Sequence, residues 1–487
     1  MINFGRVAAA LSVAALSCCD LAPAYHPPVY VIPDSYQGES PWEIAHPQDS
    51  IPPGPWWTSY GNETLNDLES KIPDNPNLMV EEENFVQARQ LAAEAASGLY
   101  PQLGVNGQAS QNRQSPTRLF RPPNSTAPMV EPSVQMDAQA SWEIDIWDRI
   151  RNQATSRERL AQAEAANLAS VKLSLQAELA NAYITLRGLD QQALLYQQTL
   201  GFYQAALKIT RQRLADKIGN ELDVARAEAQ YGGILALVYD TSAQRALALH
   251  AIAVLIGVSP NGFTLPPQQK TSLQLPTIPT GLPSTLLQRR PDVAVAERYM
   301  ASANALIGVA RAAFYPNISL GGLFGTQDSG FNLLSLPNAV WSIGSGIGLP
   351  LFEGGLRRAE LAFADSSYRQ TRDQYRSVVL SAFQQVEDQL ALNKFLAKES
   401  TEDKFVFNAS SRAQNLALKL YTAGAANYID VVVAQTTLFQ AATSQLNTDI
   451  RVQQASINLI RALGGGWNVK ELPTEKEVLP FDPIALP

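Results

Sequence analysis

The chain has 487 residues, enough for several domains, and only 17% of them are charged, against roughly 25% in ordinary soluble proteins. The formal net charge is −8 and there is no basic run, which argues against nucleic acid as a partner. After the N-terminus no stretch approaches the ~20 apolar residues of a membrane-spanning helix, so the low charge points to a buried helical bundle, a β-barrel, or both.

The first elements form a targeting signal. Arg6 supplies the positive start, residues 7–16 the apolar core, and Ala15-Leu16-Ser17-Cys18-Cys19 the cleavage region, so 1–18 reads as a signal peptide. Leucine, small residues and then cysteine resemble a bacterial lipobox, which makes Cys19 the expected lipid site and Cys18 the alternative. An ordinary signal with two incidental thiols is the competing reading. With no cysteine after Cys19, neither a disulfide framework nor a thiolate metal site is available. Residues 19–55, rich in Pro, Ser and Tyr and without period, read as an extended, lipidated arm.

Residues 56–100 are predicted helical, with Leu65, Leu68 and Ile72 on one face. Residues 101–147 form a predicted hairpin. Val134, Met136, Ala138, Ala140, Trp142, Ile144 and Ile146 alternate with polar residues, as do Leu103, Val105 and Ala109. The prolines of 115–132 should keep that connection out of both strands. Residues 148–259 form proline-free helical sequence, where Leu168, Val171, Leu175, Leu179, Ala182, Leu186 and Leu189 make a seam. A helix over 151–214 would run roughly 90 Å, too long for a compact globule and natural for a tube.

After a linker, 260–290, the plan recurs: a helix (291–315), a hairpin (316–352), long helices (353–466) and a tail (467–487). Asn75-Pro76 and Tyr100-Pro101 reappear as Arg290-Pro291 and Tyr315-Pro316, both 215 positions on (291 − 76 and 316 − 101). Asp223 and Gly257 reappear as Asp430 and Gly464, 207 positions on (430 − 223 and 464 − 257). Offsets shared by several anchors mark a duplicated structural unit. Gly219 and Gly424 interrupt the long helices, as residues able to take the left-handed conformation that ends a helix. Four alternating strands cannot close a barrel in lipid, where eight is the practical minimum, so closure requires oligomerisation.

Catalytic chemistry finds little support. His26, His46 and His250 are scattered, Glu81-Glu82-Glu83 reads as a solvated helix face, and no Gly-rich phosphate loop is present. No cofactor or metal is expected.

Several motifs together resemble one family. They are Trp56-Trp57, residues 282–293 (Leu-Pro-Ser-Thr-Leu-Leu-Gln-Arg-Arg-Pro-Asp-Val), Phe314-Tyr315-Pro316, residues 349–355 and Tyr421-Thr422-Ala423-Gly424. With these the chain resembles the outer membrane factors, the TolC-like efflux channels, in their NodT-type lipoprotein branch. The resemblance implies an α+β membrane protein. Three chains would share a 12-stranded transmembrane β-barrel, four strands each, continuous with a 12-helix periplasmic α-barrel.

The resemblance further implies a passive exit duct for small molecules in a tripartite efflux system. The expected partners are a periplasmic adaptor, an inner-membrane pump of the resistance-nodulation-division type, and outer-membrane lipid. It also implies a gate at the periplasmic tip, with Asp430 as pore acid and Asp223 as its first-copy counterpart. A second acidic position is Val433 here, and a latching arginine is Ala426. The turns at Gly219 and Gly424 would meet the adaptor. A duct for ATP-driven protein secretion is an alternative on the same fold, and a non-pore envelope lipoprotein is an alternative of another class.

Overall fold

The computed structural model describes residues 20–28, 55–113, 115, 130–268, 273–276, 278, 287–330, 332–333 and 335–479. Cys18, Cys19 and His46 lie outside these residues.

Helix α1 (Glu63–Glu69) is capped by Asn62, whose side chain accepts from the Leu65 amide. Leu65, Leu68 and Ile72 are all buried, but one helix does not carry them. Helix α1 ends at Glu69, and Ile72 belongs to a separate 3₁₀ turn containing Pro73. The proline has no N–H to continue an α-helical ladder. Helix α2 (Pro76–Ser97) follows, with proline at its first turn and Asn75 as cap.

Strands β1 (Gln102–Arg113) and β2 (Val130–Ile144) pair antiparallel. Here the structure extends the expected strand: β2 begins two residues before Pro132, which lies opposite Gln111 near the end of the pair. A missing N–H is tolerated close to a strand end. After helices α3 (Arg149–Ala215) and α4 (Glu221–Leu255), α5 (Pro291–Ala312) leads into β3 (Asn317–Asp328) and β4 (Ala339–Gly348). Strand β4 is shorter than the alternation suggested, because Pro350 closes it, and Leu351 and Phe352 are about 90% exposed. Helices α6 (Leu356–Thr422) and α7 (Tyr428–Ala462) complete the second copy, and a short α8 (Glu475–Val478) ends the described chain.

The sheet order is β1-β2-β3-β4, so β1 and β4 are both edges. Directly opposed residues share a face. One face therefore carries Val105, Ala138, Phe324 and Trp341 in one row and Leu103, Ala140 and Ile343 beside it. Phe324, Trp341, Ile343 and Leu103 are each more than two-thirds exposed, an apolar surface that suits lipid.

Helices α3 and α6 each contain 67 residues, roughly 100 Å of rod. Helix α3 packs on α2, α4, α5 and α7, and α6 packs on α5 and α7. Small residues allow close approach: a Cβ on Gly188 of α3 would lie 2.3 Å from Ile450 of α7. The seam residues Leu175, Leu179 and Leu186 join Val379, Val386 and Leu390 in one core with Trp56, Tyr60 and Ile457.

The duplication is visible atom by atom. Asn75 Nδ2 donates to the Leu255 carbonyl at 2.8 Å, and Arg290 Nη1 donates to the Ala462 carbonyl at 2.9 Å. Each tie joins the start of a short helix to the end of the last long helix of its own copy. Arg290 is 6% exposed, clasps Asp292 with two further bonds and reaches Gln385, so the Arg-Pro-Asp motif is a structural clamp.

Candidate functional site

Two regions bear on the expected channel role: the junction of sheet and helices, and the far tip of the helices.

At the junction, Asp145 accepts from the Ile150 and Arg151 amides and so satisfies orphan donors at the start of α3. Arg149 makes a bidentate pair with Glu143, and Trp147 donates to the Pro316 carbonyl while stacking on Tyr315 at 4.6 Å. The arm reaches this level. Asp20 accepts from Asn152, Arg311 donates to the Leu21 carbonyl, Asn304 donates to the Pro23 carbonyl, and the Tyr25 hydroxyl donates to Glu297 at 2.5 Å. Burial and the Glu297 carboxylate hold the Tyr25 phenol far above its usual range. It therefore stays a donor to Glu297.

At the tip, α6 ends in a Schellman motif. The Ala425 amide bonds the Leu420 carbonyl, the Gly424 amide bonds the Tyr421 carbonyl, and Gly424 is left-handed at φ 76°. The first copy has the same hydrogen bonds, from Ile218 to Arg213 and from Lys217 to Leu214. There the left-handed residue is Lys217, at φ 62°, not Gly219. Gly219 has another role: a Cβ on it would lie 2.7 Å from the Leu214 nitrogen. Its glycine is explained by tight packing of the turn rather than by backbone hand.

Both following helices start on asparagine. The Asn220 side chain accepts from the Leu222 amide, and Asn427 forms a capping box with Asp430, whose Oδ2 accepts from the Asn427 amide at 3.2 Å. Asp430 thus caps α7 and is also exposed. Val433, one turn on, is 58% exposed, and Ile429 beside it 39%. The opposite side of this turn is buried: Tyr428, Val431 and Gln435 face the other helices. Asp223 is half-buried and 3.8 Å from Arg226 on its own helix.

The two helix pairs meet in a small apolar cluster of Ala206, Leu207, Ala227, Tyr421, Tyr428 and Val431. Arg213 at the end of α3 crosses to α6. Its Nη2 donates to the Tyr421 carbonyl at 3.2 Å and its guanidinium lies 4.2 Å from the centre of the Tyr421 ring. Tyr428 reaches Gln230 of α4 at 3.4 Å, and burial pushes its phenol up to about 12. Sequence reasoning missed Arg213. A basic residue in the last turn of a helix is ordinary dipole chemistry, and its second-copy counterpart is Leu420, so no repeat signal singles it out.

Among the described residues, no group of three or more His, Cys, Asp or Glu side chains could hold a metal, and no helix is long and apolar enough to cross a membrane. Glu81 bonds to Asn84 and Asn167, which accounts for it locally.

The family described as "Outer membrane efflux protein" matches residues 69–258 and 282–465, most of the chain. The chain belongs to this family. Outer membrane protein OprJ of Pseudomonas aeruginosa is 29% identical over 95% of this chain and 96% of its own. A solvent efflux pump outer membrane protein, SrpC of Pseudomonas putida, is 31% identical over 83% of this chain and 85% of its own. Among solved structures, the outer-membrane channel OprN superposes with a TM-score of 0.85 at 26% identity, covering 92% of this chain and all of that one. The open-state MtrE channel of Neisseria gonorrhoeae gives 0.79 at 25% identity, covering 93% of this chain and 99% of that one.

This efflux protein therefore has the TolC-like channel fold with an internal duplication, and it is the outer-membrane channel component of an efflux system. Its helices extend from the outer membrane into the periplasm.

Proposed function

We propose that three copies of this chain close into one passive duct, gated at the helical tip and held in the membrane by a lipid on Cys19. The observation that carries this reading is the four-stranded sheet with an apolar outer face and two unpaired edges. Open edges in lipid leave amides unsatisfied at several kcal/mol each, a cost that pairing β4 of one copy with β1 of the next removes. In this reading strands β1 to β4 cross the membrane, and the long helices α3, α4, α6 and α7 build the tube.

A periplasmic adaptor would meet the turns at Gly219 and Gly424, and a resistance-nodulation-division pump would drive the transport. Relatives named for pyoverdine export, cation efflux and toluene efflux share 27–28% identity with this chain. One duct serving such different cargo suits a wall without pocket chemistry and places selectivity in the pump, so the cargo here is read as small molecules.

The gate is read at Asp430 and Val433, with Asp223 behind them. Three exposed Asp430 carboxylates around an axis would attract cations and repel anions, and Val433 would narrow the opening with an apolar ring. In planar bilayers, Asp430→Ala is expected to raise single-channel conductance and weaken cation preference. If both quantities match wild type, Asp430 is not in the gate.

Anchoring is supported by the arm. Asp20 is bound to Asn152 in the first turn of α3, so the described arm begins level with the junction of barrel and tube. Cys19→Ser is expected to abolish incorporation of labelled palmitate, while Cys18→Ser keeps it. The reverse pattern would move the anchor to Cys18.

A further inference from the structure

The face of the helical wall turned away from residues 56–75 holds one niche that departs from its otherwise plain lining. Residues 56–75 cover the other face: the Tyr60 hydroxyl meets Ser456 at 2.9 Å, and the Tyr183 hydroxyl donates to Asn62. Asn458 stands two residues from Ser456, and Asn181 two from Tyr183, about 200° around their helices. Both point the opposite way, and Asn181 Nδ2 donates to Asn458 Oδ1 at 3.1 Å. Arg461 lies roughly one turn beyond Asn458, and Ser174 and Ser170 roughly two and three turns before Asn181, so all share this second face. With residues 56–75 outside the tube, it is the face turned to the duct.

The niche is a cavity of about 350 Å³ at the level of the Arg290 to Ala462 tie. Arg461, Ser170, Ser174, Asn458 and the Arg290–Asp292 pair line it. Helix α3 packs on α5 and α7, and α6 packs on the same two, so one chain supplies the whole lining.

Its charge is unbalanced. Arg290 is occupied by Asp292, Gln385 and the Ala462 carbonyl. Arg461 is exposed, and its guanidinium has no ion pair or hydrogen bond among the described residues. Its place in the last turn of α7 suits the helix dipole, but that interaction leaves its donors free. Glu178, one turn past Ser174 on α3, does not line the niche and makes no ion pair among the described residues. The hydroxyls of Ser170 and Ser174 and the Asn458 amide nitrogen are likewise uncommitted there. A free guanidinium beside hydroxyl and amide donors, in a cavity larger than an inorganic ion, suits a small organic carboxylate.

We propose that this niche binds small organic carboxylates, one per chain, between the barrel and the acidic tip. The site is complete in a single chain; its opening into the duct rests on the trimeric tube proposed above. Anionic cargo would dwell there on its way out, while the choice of cargo stays with the pump.

Calorimetric titration of citrate into the purified oligomer in detergent reads binding without any current. Wild type should bind one citrate per chain, and Arg461→Gln should weaken binding at least about tenfold, the loss of one charge-assisted pair. Arg461→Lys keeps the charge without the planar fork and should fall between them. Ser174→Ala removes a single oxygen, should weaken binding several-fold, and carries the test if Arg461→Gln yields no heat-resistant oligomer. In bilayers, the citrate concentration for half block from the barrel end should rise at least about tenfold in Arg461→Gln. No citrate binding by wild type, or binding unchanged in Arg461→Gln and Ser174→Ala, would overturn the niche. Binding that depends on Arg461 with unaltered block in a conducting channel would overturn its place in the duct. The same binding in a protein that passes no current would uphold the niche and contradict the duct.

Discussion

Gly464→Ala is expected to abolish the assembled oligomer, although it adds a single methyl group far from barrel and tip. Gly464 has φ 94°, and a Cβ there would lie 2.0 Å from the Arg289 carbonyl oxygen and 2.7 Å from its carbon. Both colliding groups are backbone, so no rotamer change relieves them. The left-handed conformation costs an L-residue about 1–3 kcal/mol, and forcing the backbones apart costs a further ~1–3 kcal/mol.

The strain falls beside the Arg290 to Ala462 tie, so moving the backbone there also breaks a buried hydrogen bond. Against the ~5–15 kcal/mol stability of a typical domain, that is enough to unfold the second copy's closing joint. Gly257 is the first-copy equivalent, with φ 74° and a Cβ position 2.2 Å from the Asp74 oxygen, and should behave alike. Gly232→Ala is the control. That helical glycine has nothing within 4 Å of its Cβ position, so alanine there should be neutral or stabilise by up to ~1 kcal/mol. Dissociation temperatures of the detergent-resistant oligomer separate the three. A Gly464→Ala oligomer as heat-stable as the control would contradict the joint.

Arg213→Ala is expected to open the tip while leaving the barrel intact. Arg213 crosses from α3 to α6 with one hydrogen bond and one ring contact to Tyr421, and the apolar cluster beneath it is small. Allowing for solvent at this half-buried site, the contact stabilises closure by about 1–2 kcal/mol per chain. If three tips open together the loss is about 3–6 kcal/mol, which raises the occupancy of open states by roughly two to four orders of magnitude. The expected readout is a several-fold larger mean conductance with unchanged heat resistance of the oligomer. Arg213→Lys keeps the charge but loses the planar stack, and should fall between the two. Conductance unchanged in Arg213→Ala would assign closure to other contacts, with Tyr428 and Gln230 next to test.

The parts of this architecture legible in the sequence are those imposed by periodic burial. Alternation over 134–146 marked β2 because one face meets lipid, and the leucine seam over 168–189 marked α3 because one stripe meets other helices. The repeat anchors were legible because each copy closes on itself through the same contact, cap to carbonyl and glycine to backbone. Strand ends were less so. The alternation ran past Gly348 into exposed Leu351 and Phe352, and β2 accepted Pro132 where the proline looked prohibitive.

At the tip, glycine drew attention to position 219 while the left-handed residue was Lys217, because the turn's hydrogen bonds hold a lysine at that φ and nothing in the sequence marks it. Arg213 was invisible as a site for a physical reason. Its role depends on what stands opposite in space, Tyr421, some two hundred residues away.

The measurement that bears most directly on the gated duct is single-channel recording of the purified wild-type oligomer beside the double variant Arg213→Ala/Asp430→Ala. The account predicts a small, cation-preferring current from wild type and a much larger, less selective one from the double variant. Two heat-stable oligomers that both fail to pass ions would contradict it.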